Sequence, residues 1–478
     1  MRNYQQFYID GQWVDPAEGG ESFDVINPAT ERIVGSIRMG GAADVERALA
    51  AAHRAFAGYS QTTLKTRLDL LASITSIYER RMDEMAAAIS EEMGAPMHTL
   101  AKPVQGPIGL WHLQTTLVLA KDFEFEKTQG TTLLTREPVG VCALITPWNW
   151  PMNQIVCKVA PALVTGCTVV LKPSELAPFS AQLFAEILHE AGVPAGVFNM
   201  IHGDGAKIGP LMSSHPLVDM VSLTGSTRAG SSVAKNAADT VKVVSLELGG
   251  KSANIILADA DLNAAVTHGV LSMMSNTGQS CNAPSRMFVP AARVDEVEQI
   301  AAAACKTLVV GDPQAADTTT GPIANERQFQ RVQTLINAGI SEGAKLIAGG
   351  AGRPDGITRG YFTKPTIFSR ATNQMSIARE EIFGPVLTII PYQTEEEAIA
   401  MANDTVYGLS GYVFGGSVDS ARAVAKRLRT GMVHLNGAGL DLSAPFGGYK
   451  QSGSGREWGA AGIEEFLETK AVMGSQSA

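Results

Sequence analysis

Residues 140–175 read GVCALITPWNWPMNQIVCKVAPALVTGCTVVLKPSE: a short apolar run, a segment of helical length, then a second apolar run rich in valine. Two such runs bounded by turn residues and separated by a helix-length stretch mark a βαβ unit with parallel strands. The alternation continues through FNMI at 198–201, MVSL at 220–223 and KVVSL at 242–246, a spacing of roughly 22 to 30 residues that suits right-handed crossovers. A second series starts at ANIIL (253–257) and runs through RMFVP, the helix-like VDEVEQIAAAACKTL, KLIAG, VLTIIPY, YVFG and MVHLN at 432–436. The chain therefore reads as two successive α/β units.

Upstream the signal is helical. Val45, Leu49, Ala52 and Phe56 recur at helical spacing, as do Leu71, Ile74, Tyr78, Met82, Met85 and Ile89, which predicts two amphipathic helices behind a hairpin-like Asp10-Gly11 turn. Residues 116–138, TLVLAKDFEFEKTQGTTLLTREP, alternate with period two. They predict a ribbon that pairs with a subunit partner or with the C-terminal tail.

Composition narrows the function. Glycine and proline number 48 and 23 among 478 residues, well below the roughly 25–30% share of low-complexity chains. Charged residues make up 18% against about 25% typically, which points to surface buried in an oligomer. The net charge of −9 comes from intermixed acids and bases, so no basic footprint for nucleic acid or anionic lipid is present. No apolar run approaches the ~18 residues of a membrane span, and the N-terminus has no signal-peptide stretch, so a cytoplasmic protein acting on a small molecule is expected. The five cysteines contain no CxxC pair, and the eight histidines are scattered without HxxxH. Disulfide staples and a metal centre are not expected, and a reactive cysteine would act alone.

In an open parallel sheet, ligands bind beyond the carboxyl ends of the strands, and four such ends are rich in chemistry. Thr146-Pro147-Trp148-Asn149-Trp150-Pro151 fixes its backbone with two prolines. It is either a rigid turn over packed aromatics or a mount for the Asn149 amide as an oxyanion donor. Lys172-Pro173-Ser174-Glu175 sets a cation and a carboxylate three residues apart, as a solvated pair or as a grip on ribose hydroxyls. Thr224-Gly225-Ser226-Thr227-Arg228-Ala229-Gly230 precedes a helical stretch, as a capped helix start or a seat for pyrophosphate. Glu247-Leu248-Gly249-Gly250-Lys251 leaves room beside one carboxylate, as a general base requires. Gly203-Asp204-Gly205 with Gly209, and Gly250-Lys251-Ser252, miss the spacing of nucleotide triphosphate loops. Cys281 lies in the small polar segment Gly278-Gln279-Ser280-Cys281-Asn282, whereas the other four cysteines sit among Val, Ala and Leu. That makes it the one nucleophile candidate.

PWNWP, LKPSE, TGSTRAG, LELGGKS, GQSC, EEIFGPV and PFGGYKQSGSGRE occur in this order across essentially the whole chain, and in this the sequence resembles the aldehyde dehydrogenase superfamily. The resemblance implies an α/β fold with three parts. These are a Rossmann-like NAD-binding domain (1–115 and 139–249), an α/β catalytic domain (250–445) and a β-ribbon oligomerisation element (116–138 and 446–478), assembled as a homodimer or homotetramer. It implies Cys281 as the nucleophile, Asn149 with the Cys281 N–H as the oxyanion hole, and Glu247 as the base that hydrolyses the thioester. Relatives that transfer the acyl group to coenzyme A generally lack that glutamate. Lys158 and Glu457 match a proton path, with a buried ion pair as the alternative. Thr146, Pro147, Trp148, Lys172, Ser174, Glu175, Gly225, Ser226, Glu381 and Phe383 match cofactor contacts, and Glu175 favours NAD over NADP because it would repel a 2′-phosphate.

Substrate choice in the family rests near Trp150, on 103–112 and on the loop 437–444, GAGLDLSA here. Neither stretch holds an arginine, which speaks against a carboxylate-bearing tail. The small apolar loop suggests an aliphatic or aromatic aldehyde, and Trp150 and Trp111 are the visible members of any aromatic cage. A semialdehyde dehydrogenase of the same mechanism and a non-catalytic scaffold that keeps the fold are the alternatives.

Overall fold

The computed structural model of the chain describes residues 1–17 and 19–475. Two large sheets dominate it. In the first, five parallel strands lie in the order Val243–Glu247, Met220–Thr224, Val141–Ile145, Thr168–Lys172 and Phe198–Met200. The chain winds outward from the central strand Val141–Ile145 in one direction, then crosses back to its other side. The order thus reverses between Val141–Ile145 and Met220–Thr224, where helices leave to opposite faces and a crevice opens. The predicted hairpin at Asp10-Gly11, Phe7–Ile9 with Gln12–Val14, extends one edge antiparallel, and Gly453–Ser454 closes the other against Val243–Glu247.

The second sheet has seven strands, in the order Lys345–Ala348, Thr366–Ser369, Val386–Tyr392, Arg286–Pro290, Ala253–Ile256, Ser410–Phe414 and Met432–Leu435. All pairs are parallel except the first. Strands covered on both faces need continuous apolar runs, and Val141–Ile145, Thr168–Lys172 and Ala253–Ile256 are buried along their whole length. Helix Pro151–Thr165, started by Pro151 in its first turn and ended by left-handed Gly166, is buried at every residue. That makes its one charged residue, Lys158, costly unless paired.

The structure departs from the sequence reading in three places. The helical run after residue 60 breaks at Arg81 into Leu64–Arg80 and Met82–Met93, giving three helices behind the hairpin instead of two. Acidic Asp83 and Glu84 restart the last of them at its positive end. Residues 116–121, where the alternation seemed to begin, finish helix Pro107–Lys121, whose Thr116 and Ala120 are buried. The ribbon itself starts at Glu126–Gln129, turns into Thr132–Pro138 and is completed by the C-terminal strand Leu467–Val472. A third sheet, Arg2–Tyr4 with Arg32–Met39 and Glu21–Asn27, had no sequence counterpart because its exposed and half-buried residues carry no clean alternation. No described helix is long and apolar enough to cross a membrane.

Candidate active site

The crevice at the strand-order reversal collects four strand ends. The hydroxyls of Thr146 and Thr224 are buried there without a hydrogen-bond partner. A side chain on Gly225 would meet nothing nearer than 3.8 Å, so its backbone is bare toward the crevice. Ser226 accepts from Ala229 N at 3.3 Å as the cap of helix Thr227–Ala237. The segment is thus a capped helix start. Lys172 Nζ donates to Glu175 Oε2 at 2.8 Å, and Ser174 Oγ accepts from Leu176 N at 3.2 Å. Pro147 and Trp148 form the wall, with Trp148 edge-on to Phe383 at 5.5 Å. Phe383 has φ 56°, a left-handed conformation rare for an aromatic residue. Gln328 fixes it by donating to Phe383 O at 3.0 Å and Ile382 O at 2.8 Å. Glu381 accepts from Gly250 N at 3.0 Å. Burial pushes its carboxyl up to about 7 against the opposing pull of that N–H and of Lys251. Orphaned hydroxyls, bare glycine backbone, a helix N-terminus and carboxylates able to accept from ribose together fit a dinucleotide.

Cys281 stands at the mouth of a loop built under tension. Asn276, Thr277 and Gly278 are all left-handed, at φ 50°, 56° and 69°. Side chains hold them: Asn276 Nδ2 donates to Asn149 O (2.9 Å) and Gln279 O (3.2 Å), Gln105 Nε2 donates to Asn276 Oδ1 (3.1 Å), and Thr277 Oγ1 donates to Gly321 O (3.1 Å). A Cβ on Gly278 would lie 2.2 Å from Gly384 O, and one on Gly250 2.3 Å from Cys281 O. Asn149 donates one amide hydrogen to Gln279 O at 3.0 Å, which leaves the other for a ligand. Trp150 Nε1 donates to Ser280 Oγ at 2.8 Å. The half-buried Cys281 thiol is pushed up by burial, then by the charges of Glu247 and Glu381, while the Asn282 N–H pulls the other way.

Glu247 is 3% exposed, and neither carboxylate oxygen has a partner. Burial, then the nearby Glu457, raises its carboxyl well above the ordinary range, although Lys158 and Arg456 oppose the shift. Beneath it Lys158 bonds Glu457 directly and donates to Ser222 Oγ at 2.9 Å. Burial is the largest influence on the Lys158 amine and works to lower it, but the charge and hydrogen bond of Glu457 together with the influence of Cys157 and Glu247 outweigh it and the net shift is upward.

On the far side of Cys281 opens a cavity of about 240 Å³. Trp150, Val104 and Ile108 line it with the loop Gly437–Leu440, alongside Tyr412, Phe446, Trp458, His268 and His434. Among the described residues, no Lys, Arg, Asp or Glu faces it. Tyr412 and His434 stack at 4.7 Å, and Phe446 lies against Trp458 at 4.4 Å.

The model of the Aldehyde dehydrogenase family matches residues 13–472. Over 474 residues the chain is 62% identical to 3-succinoylsemialdehyde-pyridine dehydrogenase of a Pseudomonas species, covering 99% of both proteins. The chain belongs to the aldehyde dehydrogenase family. Among solved members, a cysteine-to-alanine variant of aldehyde dehydrogenase C from Pseudomonas syringae, in complex with NAD+ and octanal, superposes with a TM-score of 0.98 at 54% identity. The match covers 99% of this chain and 97% of that one. The Mycobacterium tuberculosis aldehyde dehydrogenase complexed with NAD+ gives 0.96 at 40% identity, with 98% of each chain covered.

Within this family member, Asn149 bonds Gln279 O, two residues before Cys281, and Glu247 acts electrostatically on Cys281 while Glu457 and Lys158 act on Glu247. The cofactor candidates Thr146, Pro147, Trp148, Lys172, Ser174, Glu175, Gly225, Ser226, Glu381 and Phe383 gather along the crevice. Trp111 does not join the aromatic wall: it is 40% exposed on the outer side of its helix, and Trp458 takes the place expected for it. Sequence reading missed Asn276, Gln105 and Gln328, which touch backbone and carry no motif of their own. It also missed Gly205, whose Cβ position is 3.4 Å from Lys172 Nζ and which was set aside for its spacing. His268, Tyr412 and His434 come from three separate elements that only the fold unites.

Proposed function

We propose that the chain oxidises an uncharged aldehyde to a carboxylic acid with NAD, through a thioester on Cys281. The observation that carries this is the convergence of Cys281, Asn149 and an unpartnered buried Glu247 where the uncharged cavity meets the dinucleotide crevice. Lys172, Ser174 and Glu175 would hold the adenosine ribose, Gly225 and Ser226 the pyrophosphate, and Thr146, Pro147, Trp148, Glu381 and Phe383 the nicotinamide half. Bound there, NAD would supply the acceptor for one hydride. Cys281 attacks the aldehyde carbonyl as the thiolate that each hydrolysis leaves behind, and the free Asn149 amide hydrogen with the Cys281 N–H stabilises the oxyanion. After hydride loss, Glu247 takes a proton from water, the hydroxyl adds to the thioester carbon and the C–S bond breaks.

The aromatic, charge-free cavity suits an alkyl chain or a flat ring. It is consistent with relatives solved with octanal or named for a pyridine-bearing semialdehyde. A tail ending in carboxylate finds no cation there, so a dicarboxylic semialdehyde is the weaker reading. The two large sheets correspond to an NAD-binding part (1–115 and 139–249) and a catalytic part (250–445). Segments 116–138 and 446–478 supply a ribbon for a homodimer or homotetramer in the cytoplasm. The deciding experiment follows NADH absorbance with alkyl, aryl, carboxylated and quaternary-ammonium aldehydes. Alkyl or aryl substrates are expected to lead, and Cys281→Ala to lose at least about a thousandfold in kcat. Turnover that survives in Cys281→Ala, or a lead for the carboxylated aldehydes, contradicts the proposal.

A further inference from the structure

The aldehyde cavity lacks charge but not polarity. Two carboxamides from the first turn of helix Pro151–Thr165, Asn153 and Gln154, line it at 7% and 3% exposure. Gln154 hydrogen-bonds the protein through its backbone alone. Asn153 uses only its oxygen, so its amide hydrogens are left for the cavity. A buried amide without a partner is unfavourable, and nothing in the oxidation of the aldehyde group gives these two a task.

The direction of Asn153 is set from a second helix. His112, on Pro107–Lys121, is 3% exposed and places Nε2 2.8 Å from Asn153 Oδ1. A carboxamide oxygen only accepts, so the imidazole carries its hydrogen on Nε2 and donates. Burial keeps the ring neutral, pushing it down to about 4 against the pull of the Asn153 bond and of the Glu457 charge. Trp458 packs on the ring, with centroids 5.1 Å apart. Asn153 therefore presents a donor whose orientation the protein has fixed. Asn149, four residues earlier, serves the reacting carbonyl and does not line the cavity, whereas Asn153 lines it with Cys281. The donor thus meets the remainder of the substrate. A carboxylate there would lack a cation, so the matching group is a neutral acceptor.

Resting on the oxidation reading above, we propose that Asn153, oriented by His112, is a specificity-determining residue that donates to a ketone oxygen, or a like neutral acceptor, between the aldehyde carbon and the far end of the substrate. The preferred substrate is a keto-aldehyde, ahead of a plain alkyl or aryl aldehyde of the same shape. An analogue without the acceptor leaves the amide dry and unpartnered. His112 touches no substrate and is a positioning residue.

The test reads kcat/KM from NADH formation for aryl aldehydes of one skeleton that carry C=O, C=CH2 or CH2 at one position, set two, three or four carbons from the aldehyde carbon. The alkene keeps the shape of the ketone without its acceptor. At one spacing or more, the wild-type protein is expected to prefer C=O over C=CH2 by about tenfold or more. In Asn153→Leu the ratio is expected to fall to within about twofold of one. His112→Phe is expected to lower it, and His112→Gln, which can still donate to Asn153 Oδ1, to retain it. Each ratio compares two substrates on one preparation, so poor folding lowers both rates together and cancels. A wild-type ratio within about twofold of one at every spacing overturns the proposal before any variant is made. So does a preference that survives in Asn153→Leu, or equal ratios in His112→Phe and the wild type. NADH from none of the aldehydes overturns the oxidation reading itself, and this inference with it.

Discussion

At the residue scale, Glu247 decides the pH behaviour. A base works only when ionised, and burial holds this carboxyl well above its ordinary 4.5. The rising limb of kcat is therefore expected to lie well to the alkaline side of that value and to be absent in Glu247→Gln, which should keep the NADH burst and lose steady turnover. A limb at ordinary carboxylate pH, or an unchanged steady state in the variant, contradicts the role. Glu175 sets cofactor choice by a similar argument. Its carboxylate, bonded to Lys172 at 2.8 Å, accepts from hydroxyls and repels phosphate, so Glu175→Gln is expected to raise kcat/KM for NADP relative to NAD, about tenfold. An unchanged ratio would mean that Lys172 alone governs that end of the crevice.

At the scale of single elements, two connections carry unusual loads. The loop 276–278 has three left-handed residues in succession, and Gly278→Ala would drive a methyl against Gly384 O at 2.2 Å. The variant is expected to lower both Tm and activity, by about 2 kcal/mol or more of stability; wild-type melting would show that the loop gives way freely. Glu92 caps helix Pro178–Glu190 from another element, accepting from Phe179 N at 2.5 Å and from Ser180 N and Oγ. Burial lifts its carboxyl from 4.5 to about 7 despite those donors. Its stabilisation is thus fully present below 4.5 and fades as pH rises through 7. The Tm advantage of the wild type over Glu92→Gln should be largest near pH 5 and shrink toward neutrality, and an advantage that grows with pH would reverse the assignment. Neither connection was legible in the sequence, because Asn276 and Glu92 act on backbone groups far away in the chain. The strands were legible, since burial on both faces leaves a continuous apolar run such as Val141–Ile145. Glu247 stands out as a candidate at the end of such a run beside Gly249 and Gly250, and Cys281 as a candidate in a small polar segment after Gly278. The helix ending at Lys121 was not legible, because its apolar run at 117–120 leads straight into the alternating stretch 123–127 with no glycine or proline to mark the boundary.

At the scale of the whole molecule, the ribbon leaves exposed backbone edges at Glu126–Gln129 and Leu467–Val472, and Met432–Leu435 forms an open edge of the second sheet. Long unpaired edges invite pairing with another chain. Sedimentation velocity at micromolar concentration is expected to find dimers or tetramers, and a monomer would leave those edges without a purpose. The strand Leu467–Val472 also bears on when activity can arise. It pairs with Thr132–Pro138 from early in the chain, and the segment leading into it carries Phe446, Glu457, Trp458 and Glu465. During synthesis these groups emerge after the crevice residues 146–226. A nascent chain can thus shape much of the crevice early yet cannot hold a finished aldehyde pocket until the segment 446–472 has joined it. Every incomplete product is then expected to be silent as an oxidant, whatever it binds.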